Sequence, residues 1–461
     1  MPVNSFDNYY MSWTPVLQKG SGSYVTQLIE QLQADIANRK LLPGTKLPPY
    51  RELADYLDVN LSTVTRAFKI GREKGLLSGT VGSATYVSYD ALANVSVTPS
   101  SAGAAAIPLG ALFPAVHAPN QTREILRMML ADAEFDRWMG YGSVQGTESQ
   151  RLAALPLLAK AGLKTTEDKL FPASGGQNAI AAILCGLFTR GDKLGVDPLT
   201  YPGLKTTAKL FGIELIPLRH ENGEISADGL LYAVKNEKIK GLYVMPDVQN
   251  PTTHIMSDAC RTMIAETARQ KGLLVIEDSA NSLTLSALHS AIASLAPEQT
   301  VFIGSLSKAI APALRLAYIV CPDRFQKPLS DALYNLNLML SPFLMEFASR
   351  MLASENVLEV IEANRAETVR RNRIFDREMS GFDAAGTEEC LFRWVTLPGE
   401  IDGPDFEQRA MNTGIGVYAG HRFAVGKTKP PSAIRVAVTT PETDEALVEA
   451  LSRLKEVIRK Y

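Results

Sequence analysis

The first ninety residues show the apolar spacing of three short helices followed by a hairpin. One helical face repeats every four residues and ends before Pro43; its members are Tyr24, Leu28, Leu32 and Ile36. A second helix is predicted over residues 51–57 and a third over residues 62–74, with a turn between them. Two short strands, at residues 76–78 and 85–88, would then form a hairpin. The pattern predicts a helix, a helix-turn-helix and a wing.

A different pattern runs from about residue 140 onward, where apolar runs suited to buried strands alternate with helical stretches. The clearest runs occupy residues 242–246, 273–278, 301–305 and 314–320. Strands buried on both faces of a sheet are apolar throughout, so we interpret these four runs as parallel strands of a mostly parallel sheet. The prediction is an α/β domain with helices on both faces and ligands at the carboxyl ends of the strands. Long helices over residues 326–380 would lead into a smaller C-terminal α+β domain.

Small and polar residues interrupt both patterns between residues 88 and 108. No sustained apolar period of 2 or 3.6 runs through this stretch, which is typical of a linker. We therefore predict a first domain over residues 1–89, a linker over residues 90–106 and a second domain over residues 107–461.

Composition and charge narrow the class of protein. The chain has 461 residues, of which 46% are hydrophobic and 21% charged, as in ordinary globular proteins. A formal net charge of −2 excludes a wholly basic nucleic-acid coat protein. Residues 39–74 nevertheless carry eight basic and four acidic side chains. On charge alone this basic patch is more often a solvated surface than a DNA-binding one.

The sequence also indicates the cellular compartment of the protein. The longest nearly uninterrupted apolar run, residues 179–188, is shorter than the roughly 20 residues that cross a bilayer. Asp7 stands where a signal peptide would have a basic start. The four cysteines are too far apart for a C-x-x-C metal or redox pair. We expect a cytoplasmic protein that does not contact a membrane and holds no metal.

The segment LLPGTKLPPYRELADYLDVNLSTVTRAFKIGREKGLLSGTVGSATYV, residues 41–87, contains the turn, the third helix and the wing in that order. It resembles the winged helix-turn-helix of the GntR family of bacterial regulators, in which the third helix enters the major groove of double-stranded DNA. The resemblance implies that DNA is contacted by Arg51, Ser62, Thr63, Thr65, Arg66 and Lys69 on the helices and by Ser83 and Thr85 on the wing.

One residue of the turn departs from the family. Asp58 stands where many relatives carry glycine, and an acid so close to phosphate would weaken or tune DNA binding. A packing module without any DNA function is the alternative interpretation of the first domain.

A primary amine, two hydroxyls and a guanidinium follow one predicted strand and belong to Lys308, Ser305, Ser307 and Arg315. Pyridoxal phosphate needs an amine for its Schiff base, a carboxylate that keeps its pyridine nitrogen protonated, and a phosphate cradle rich in backbone amides. Asp278, at the end of another strand, can supply the carboxylate. Residues 174–177, ahead of a helix that starts near Ala179, can supply the cradle. Because neither G-x-G-x-x-G nor G-x-x-x-x-G-K-[ST] occurs, a dinucleotide or nucleoside triphosphate is not favoured.

The motifs ASGGQNAI, DPLTYPG, PDVQNPT, VIED, GSLSKAIAPALRLAY and AIRVAV occur in the order found in fold type I aminotransferases. This resemblance covers nearly all of residues 107–461. With the GntR-like segment in front, the whole chain resembles the MocR family of pyridoxal-phosphate-dependent transcriptional regulators. The resemblance implies an N-terminal winged helix-turn-helix joined to an aminotransferase-like domain, and a homodimer that shares its pyridoxal 5'-phosphate sites.

The same resemblance implies a role for each matching residue. Lys308 would hold the cofactor as an internal aldimine and serve as the catalytic base, and Asp278 would pair with the ring nitrogen. Asn250 would bond the phenolic oxygen, and Tyr201 would stack on the ring. The phosphate would be bound by Ser174, Gly175, Gly176, Gln177, Ser305, Ser307 and Arg315, with Tyr141 reaching the phosphate of the neighbouring subunit. Arg435 would grip the carboxylate of an amino-acid substrate or effector.

Two positions depart from the aminotransferase pattern. Ala280 and Asn281 stand where relatives place a tyrosine after the ring-nitrogen aspartate. Asn281 can donate a hydrogen bond to the cofactor but cannot ionise as a phenol does, so transamination efficiency is in doubt. Thr253 replaces the glycine that usually ends the N-P-T-G motif.

Three hypotheses for function follow. In the first, the chain is a transcriptional regulator whose DNA binding changes when an amino acid or amine reaches the cofactor. In the second, it is an active aminotransferase with an inactive winged domain. In the third, it senses pyridoxal phosphate itself; replacement of Arg435 would then leave regulation intact, whereas replacement of Lys308 would abolish it.

Overall fold

The computed structural model describes residues 11–18, 22–38, 40–78, 84–89, 107–114, 120–287, 289–354 and 356–460. The predicted linker at 90–106 and the predicted wing contact Ser83 lie outside these ranges. None of the described helices is long and apolar enough to cross a membrane.

The winged domain follows the predicted pattern closely. Its elements are α1 (Tyr24–Ala37), α2 (Tyr50–Tyr56), α3 (Leu61–Glu73), β1 (Leu77–Ser78) and β2 (Tyr86–Val87), and the two strands pair antiparallel. The predicted apolar face is buried, with Leu28, Leu32 and Ile36 packing in one cluster with Val64 and Phe68. The predictions are confirmed to within two residues because apolar period and helix stops are local signals.

The conformation of the turn before α3 explains the residue types at two positions of the sequence. Asp58 has a φ of +52°, a left-handed conformation that glycine adopts without strain and aspartate tolerates. Asn60 is the N-cap of α3, and its side chain accepts a 2.8 Å hydrogen bond from the Ser62 amide.

The strands that follow are β3 (Ile107–Pro108), β4 (Leu170–Ala173), β5 (Lys193–Val196), β6 (Glu214–Pro217), β7 (His220–Glu221), β8 (Glu224–Ile225), β9 (Gly241–Val244), β10 (Leu274–Asp278), β11 (Thr300–Ser305), β12 (Ala317–Val320), β13 (Ala384–Ala385), β14 (Phe392–Thr396), β15 (Ile415–Gly416), β16 (Tyr418–Ala419) and β17 (Ala433–Ala437).

The α-helices that follow are α4 (Asn120–Leu130), α5 (Phe135–Trp138), α6 (Glu148–Leu152), α7 (Leu155–Lys160), α8 (Gly176–Leu187), α9 (Pro202–Phe211), α10 (Ala227–Tyr232), α11 (Asp258–Lys271), α12 (Ile292–Leu295), α13 (Asp323–Asn337), α14 (Pro342–Ala353), α15 (Asn356–Glu378), α16 (Gly403–Asn412) and α17 (Asp444–Arg459).

A seven-stranded sheet forms the centre of the large domain, in the order β4-β12-β11-β10-β9-β5-β6. Helices α8, α9 and α13 pack on one face, and α10, α11 and α12 pack on the other. The predicted α/β layering is therefore confirmed. A second, four-stranded sheet, β13-β14-β17-β16, packs with α15, α16 and α17 in the small domain.

The direction of one strand differs from the prediction. The run at 314–320 forms β12, which pairs antiparallel with both β11 and β4. Only residues 306–316 separate β11 from β12, and they contain no full helix. A parallel crossover needs about a dozen residues or more and usually a helix, so this short connection reverses the chain instead.

Candidate functional site

A cavity of about 600 Å³ opens at the carboxyl ends of the central strands. β10 ends there at Asp278 and β11 at Ser305, while antiparallel β12 brings Arg315 to the same edge just before its first residue. Eleven of the predicted site residues line the cavity: Gly176, Gln177, Tyr201, Asn250, Asp278, Asn281, Ser305, Ser307, Lys308, Arg315 and Arg435. Within the described residues, no cluster of three or more His, Cys, Asp or Glu side chains could hold a metal.

Lys308 carries the amine of the cavity. Its Nζ donates a 2.8 Å hydrogen bond to the carbonyl of Leu112. Burial, reinforced by the charges of Arg435 and Arg315, lowers the pKa of Lys308 to about 7. A large share of this amine is therefore neutral near pH 7, which is the form that reacts with an aldehyde.

Asp278 is held by two donors. The hydroxyl of Tyr243 donates to Oδ2 at 2.6 Å, and the amide of Ala280 donates to Oδ1 at 3.2 Å. Burial raises the pKa of Asp278 to about 6, against the effect of both hydrogen bonds and of Lys308. Tyr243 is absent from the site residues predicted from the sequence, although a tyrosine inside an otherwise aliphatic buried strand is a usable signal.

The residues predicted to bind phosphate lie at the start of α8. Gly175 is the N-cap with a φ of +82°, and a Cβ there would lie 2.5 Å from Nη2 of Arg315. The space beside Gly176 is open, with nothing within 4 Å of a Cβ placed there. Arg315 donates to the Ser174 carbonyl at 3.2 Å, which fixes the guanidinium beside the first turn of the helix. The helix starts at Gly176, three residues before the predicted start.

The two serines after β11 differ in their hydrogen bonding. Ser305 Oγ accepts a 3.3 Å bond from the Ser307 amide. Ser307 Oγ is buried without a hydrogen-bond partner. A buried hydroxyl that faces a cavity and lacks a partner fits a ligand that supplies one.

The side chain of Gln177 has partners within the protein, so of the backbone and side-chain donors expected to bind phosphate only the backbone is available. Its Nε2 donates to the Gly203 carbonyl at 3.0 Å and to Thr207 Oγ1 at 2.6 Å, and its Oε1 accepts from the Tyr201 hydroxyl at 3.0 Å. The side-chain amide therefore supports Tyr201, whose pKa burial raises to about 12. Only the backbone of Gln177 remains for the cradle, because the first amides of a helix lack intrahelical partners.

Arg435, at the centre of β17, reaches the cavity from the small domain. Its Nη1 donates to Oδ1 of Asn250 at 2.7 Å and its Nη2 to the carbonyl of Gly110 at 2.6 Å. Its Nε is buried without a hydrogen-bond partner. Because Asn250 accepts through Oδ1, its Nδ2 is the atom left to donate. Burial lowers the pKa of Arg435 to about 10, so the guanidinium stays charged at neutral pH.

Asn281 uses one hydrogen of its side-chain amide within the protein. Its Nδ2 donates to the carbonyl of Val248 at 3.1 Å, and its Oδ1 is buried without a partner. An amide nitrogen carries two hydrogens, so the expectation that Asn281 donates to the cofactor stays a prediction that depends on the second one. Thr253 has a φ of +64°, which explains why glycine suits this position in relatives.

Tyr141 lies outside the cavity of its own chain. It is 89% exposed, in the segment between α5 and α6. The adjacent Gly142 amide contacts Met339 Sδ at 2.9 Å, so this segment packs beside the residues that precede α14.

The predicted DNA-contacting residues divide into two groups. Arg51, Ser62, Thr65, Arg66 and Lys69 are exposed and Thr63 is half-buried. Thr85 is only 7% exposed, and its hydroxyl lies 3.4 Å from that of Tyr50. Thr85 is therefore a core residue and cannot make the predicted wing contact.

Comparisons with known proteins agree with both halves of the structure. Residues 112–451 match the family described as aminotransferase class I and II, and residues 24–87 match the gntR family of bacterial regulatory proteins. The chain is 45% identical to the uncharacterized HTH-type transcriptional regulator YdeF of Bacillus subtilis, over 99% of both chains. It is 25% identical to the uncharacterized HTH-type transcriptional regulator YjiR of Escherichia coli, over 90% of this chain and 94% of that one.

Solved structures share the fold of the larger part. An archaeal alanine:glyoxylate aminotransferase superposes with a TM-score of 0.71 at 19% identity, covering 77% of this chain and 91% of the other. At this identity the likeness concerns the fold alone.

Proposed function

We propose that this chain, which belongs to the aminotransferase class I and II family and carries a DNA-binding domain of the bacterial GntR family, regulates transcription in response to an amino acid or amine. It is a DNA-binding regulator of the MocR type with an aminotransferase-like domain, and the cofactor of that family is pyridoxal phosphate. We further propose that an effector alters DNA binding through a defined segment of the chain, that the chain forms a homodimer, and that it divides into two domains at residues 90–106. A reducing cytoplasm suits the four unpaired cysteines.

The cavity residues fit the cofactor. Ser307 Oγ and Asn281 Oδ1 are buried polar atoms without partners, and the open space at Gly176 lies at a helix N-terminus that attracts an anion. Lys308 would hold the cofactor and move a proton at Nζ, and Asp278 would accept from the ring nitrogen. When bound, pyridoxal phosphate supplies an electron-withdrawing ring that makes the α-carbon of an amino acid acidic.

The side chain of Arg435 indicates which chemical class of effector the cavity binds. A guanidinium is charged at neutral pH and matches a carboxylate in two-point geometry. In this structure its partners are neutral oxygens, those of Asn250 and Gly110. A carboxylate would replace a neutral acceptor with a charged one, so we propose that the effector is an amino acid.

The observation that carries the regulatory proposal is a segment that contacts both domains. Residues 418–426 pack against Arg435 from their first residue, Tyr418, whose ring centroid lies 5.4 Å from the guanidinium carbon, and again at Phe423, at 5.1 Å. At the other end, the carbonyl of Gly426 accepts a 3.0 Å hydrogen bond from the amide of Tyr89, the last described residue of the winged domain. A change of position at Arg435 would therefore act on a segment that hydrogen-bonds the DNA-binding domain.

The large domain holds the middle of that segment. Lys205 is 2% exposed, and its Nζ donates to the carbonyls of Arg422 at 3.0 Å and Ala424 at 2.5 Å. The amide of Thr200 donates to the carbonyl of Phe423 at 2.9 Å. With the winged domain in this position, Arg66 and Lys69 remain exposed, so the arrangement is compatible with DNA binding.

The homodimer is proposed from exposed apolar side chains. Tyr141 is 89% exposed and Met139 67%, and Leu338 on the neighbouring segment is 52% exposed. The two segments that carry these side chains contact each other at Gly142 and Met339, and exposed apolar side chains grouped in this way favour an interface. Two copies would bring two winged domains to repeated half-sites.

One experiment tests the regulatory proposal. The purified protein is loaded with pyridoxal phosphate and titrated with each common amino acid, while its visible absorbance and its affinity for an operator selected from genomic fragments are both measured. We expect one amino acid to change both signals at the same concentration. Amino-acid turnover with an unchanged operator affinity would support an aminotransferase and overturn the proposal.

A further inference from the structure

A buried phenol lies behind the carboxylate that is proposed to hold the cofactor ring. Tyr243 is 0% exposed and does not line the cavity, yet its hydroxyl donates to Asp278 Oδ2 at 2.6 Å. We propose that Tyr243 is a positioning residue that fixes the orientation and charge of Asp278, and through it the protonation of the cofactor ring nitrogen. The inference rests on the proposed cofactor site.

The register of two strands produces this contact. β9 and β10 are parallel, and Tyr243 lies opposite Ile276. Asp278 is two residues beyond Ile276, so its side chain points to the same face as that of Tyr243. Neighbouring strands lie about 4.8 Å apart and two residues of a parallel strand rise about 6.6 Å, so the two Cα atoms are separated by about 8 Å, a gap that a tyrosine spans. A shorter polar side chain at 243 would leave Oδ2 without this donor.

The two donors to Asp278 restrict its carboxylate. Tyr243 occupies Oδ2 and the Ala280 amide occupies Oδ1, so rotation about the side chain would break one bond or the other. Each oxygen keeps a second lone pair for another donor. The carboxylate is therefore presented to the cavity in one orientation.

The hydrogen bond from Tyr243 to Asp278 also affects the position of a proton shared between Asp278 and the cofactor ring nitrogen. Burial favours the neutral form of Asp278, and the Tyr243 hydrogen bond favours the charged form. Burial and the neighbouring carboxylate raise the pKa of Tyr243 well above its ordinary value, so the phenol remains a donor. Without this donor Asp278 becomes a stronger base, and a proton shared with the ring nitrogen moves toward the carboxylate.

A matched control lies in the same sheet. Tyr318 on β12 is 1% exposed, and its hydroxyl is buried without a hydrogen-bond partner. Tyr318→Phe and Tyr243→Phe therefore each remove one buried hydroxyl from the central sheet. Only Tyr243→Phe removes a donor to Asp278.

The test uses the full chain loaded with pyridoxal phosphate labelled with ¹⁵N in the ring. The ring ¹⁵N resonance and the dissociation constant of the cofactor are measured for wild type, Tyr243→Phe, Tyr318→Phe and Asp278→Asn. We expect Tyr243→Phe to shift the resonance toward that of an unprotonated ring and to weaken cofactor affinity on the order of tenfold, the effect of one hydrogen bond to a charged group. Tyr318→Phe should match wild type.

The possible outcomes distinguish the positioning role of Tyr243 from the cofactor site on which it rests. If Tyr243→Phe matches wild type while Asp278→Asn shifts the resonance, the positioning role is wrong and the cofactor site stands. If Asp278→Asn also matches wild type, the proposed site itself is wrong. If both Tyr→Phe variants shift alike, the effect comes from loss of any buried hydroxyl, which also overturns the inference. Thermal unfolding of each apoprotein confirms that the variants are folded.

Discussion

Arg435, on a strand of the small domain, donates a 2.7 Å hydrogen bond from Nη1 to Oδ1 of Asn250, in a loop of the large domain. The bond joins the proposed effector-binding residue to the proposed partner of the cofactor's phenolic oxygen. A ligand that engages either residue therefore acts on the contact between the two domains. Phe423 lies against the same guanidinium, in the segment that we propose connects Arg435 to the winged domain.

Replacement of Arg435 with lysine should separate effector binding from cofactor binding. Lysine keeps the charge but loses the two-point geometry, so the effector concentration for half-maximal absorbance change should rise at least tenfold. Cofactor affinity should change far less. Arg409→Lys, on the exposed surface of α16, is the control. An unchanged effector response in Arg435→Lys would show that Arg435 does not bind the effector carboxylate.

The rate at which the apoprotein takes up pyridoxal phosphate should depend on pH. The pKa of Lys308 is lowered to about 7, so the neutral, reactive fraction increases as pH rises through that value. Between about pH 6 and about pH 8 the neutral fraction, and with it the uptake rate followed by absorbance, should rise by roughly tenfold. A rate that is constant over this range would contradict the lowered pKa. Lys308→Ala should show no covalent uptake at any pH.

The exposed face of α3 should carry the salt dependence of DNA binding. Arg66→Ala should weaken operator binding and reduce the slope of log affinity against log salt by about 1, as expected for one lost phosphate contact. Thr85→Val should leave affinity and slope unchanged, because Thr85 is buried. A larger effect of Thr85→Val than of Arg66→Ala would place the DNA on another surface.

Lys205→Met should uncouple the effector from DNA binding. The change removes the two hydrogen bonds that hold the carbonyls of Arg422 and Ala424. Coupling between two sites typically changes affinity about 5- to 150-fold, and we expect the effector-induced change in operator affinity to approach 1 in this variant. The effector should still alter the absorbance. Lys271→Met, at the exposed end of α11, serves as control; full coupling in Lys205→Met would show that residues 418–426 do not transmit the signal.

Local signals made the winged domain predictable. The four-residue spacing of Leu28, Leu32 and Ile36 and the turn before the third helix can be recognised within short stretches of sequence. The convergence of Lys308 and Asp278 was also predictable, because both follow strands whose carboxyl ends meet at one edge of a sheet.

The direction and register of the strands and the hydrogen-bond partners of buried side chains were harder to predict from the sequence. The direction of β12 depends on the length of the connection before it, and the contact of Tyr243 with Asp278 depends on the register of two strands. Both side-chain donors of Gln177 are used within the protein, by the Gly203 carbonyl and by Thr207, and Asn281 spends one of its two on the carbonyl of Val248. Which partner satisfies a buried amide is a property of the packed structure.

The central claim is that the state of the cofactor pocket sets DNA binding. It is tested most directly by measuring operator affinity at fixed salt for the apoprotein, for the protein with pyridoxal phosphate, and for that complex with the amino acid that changes its absorbance. We predict a change in affinity of at least about fivefold between the last two states, and its loss in Lys308→Ala. Equal operator affinity in all three states would contradict the account.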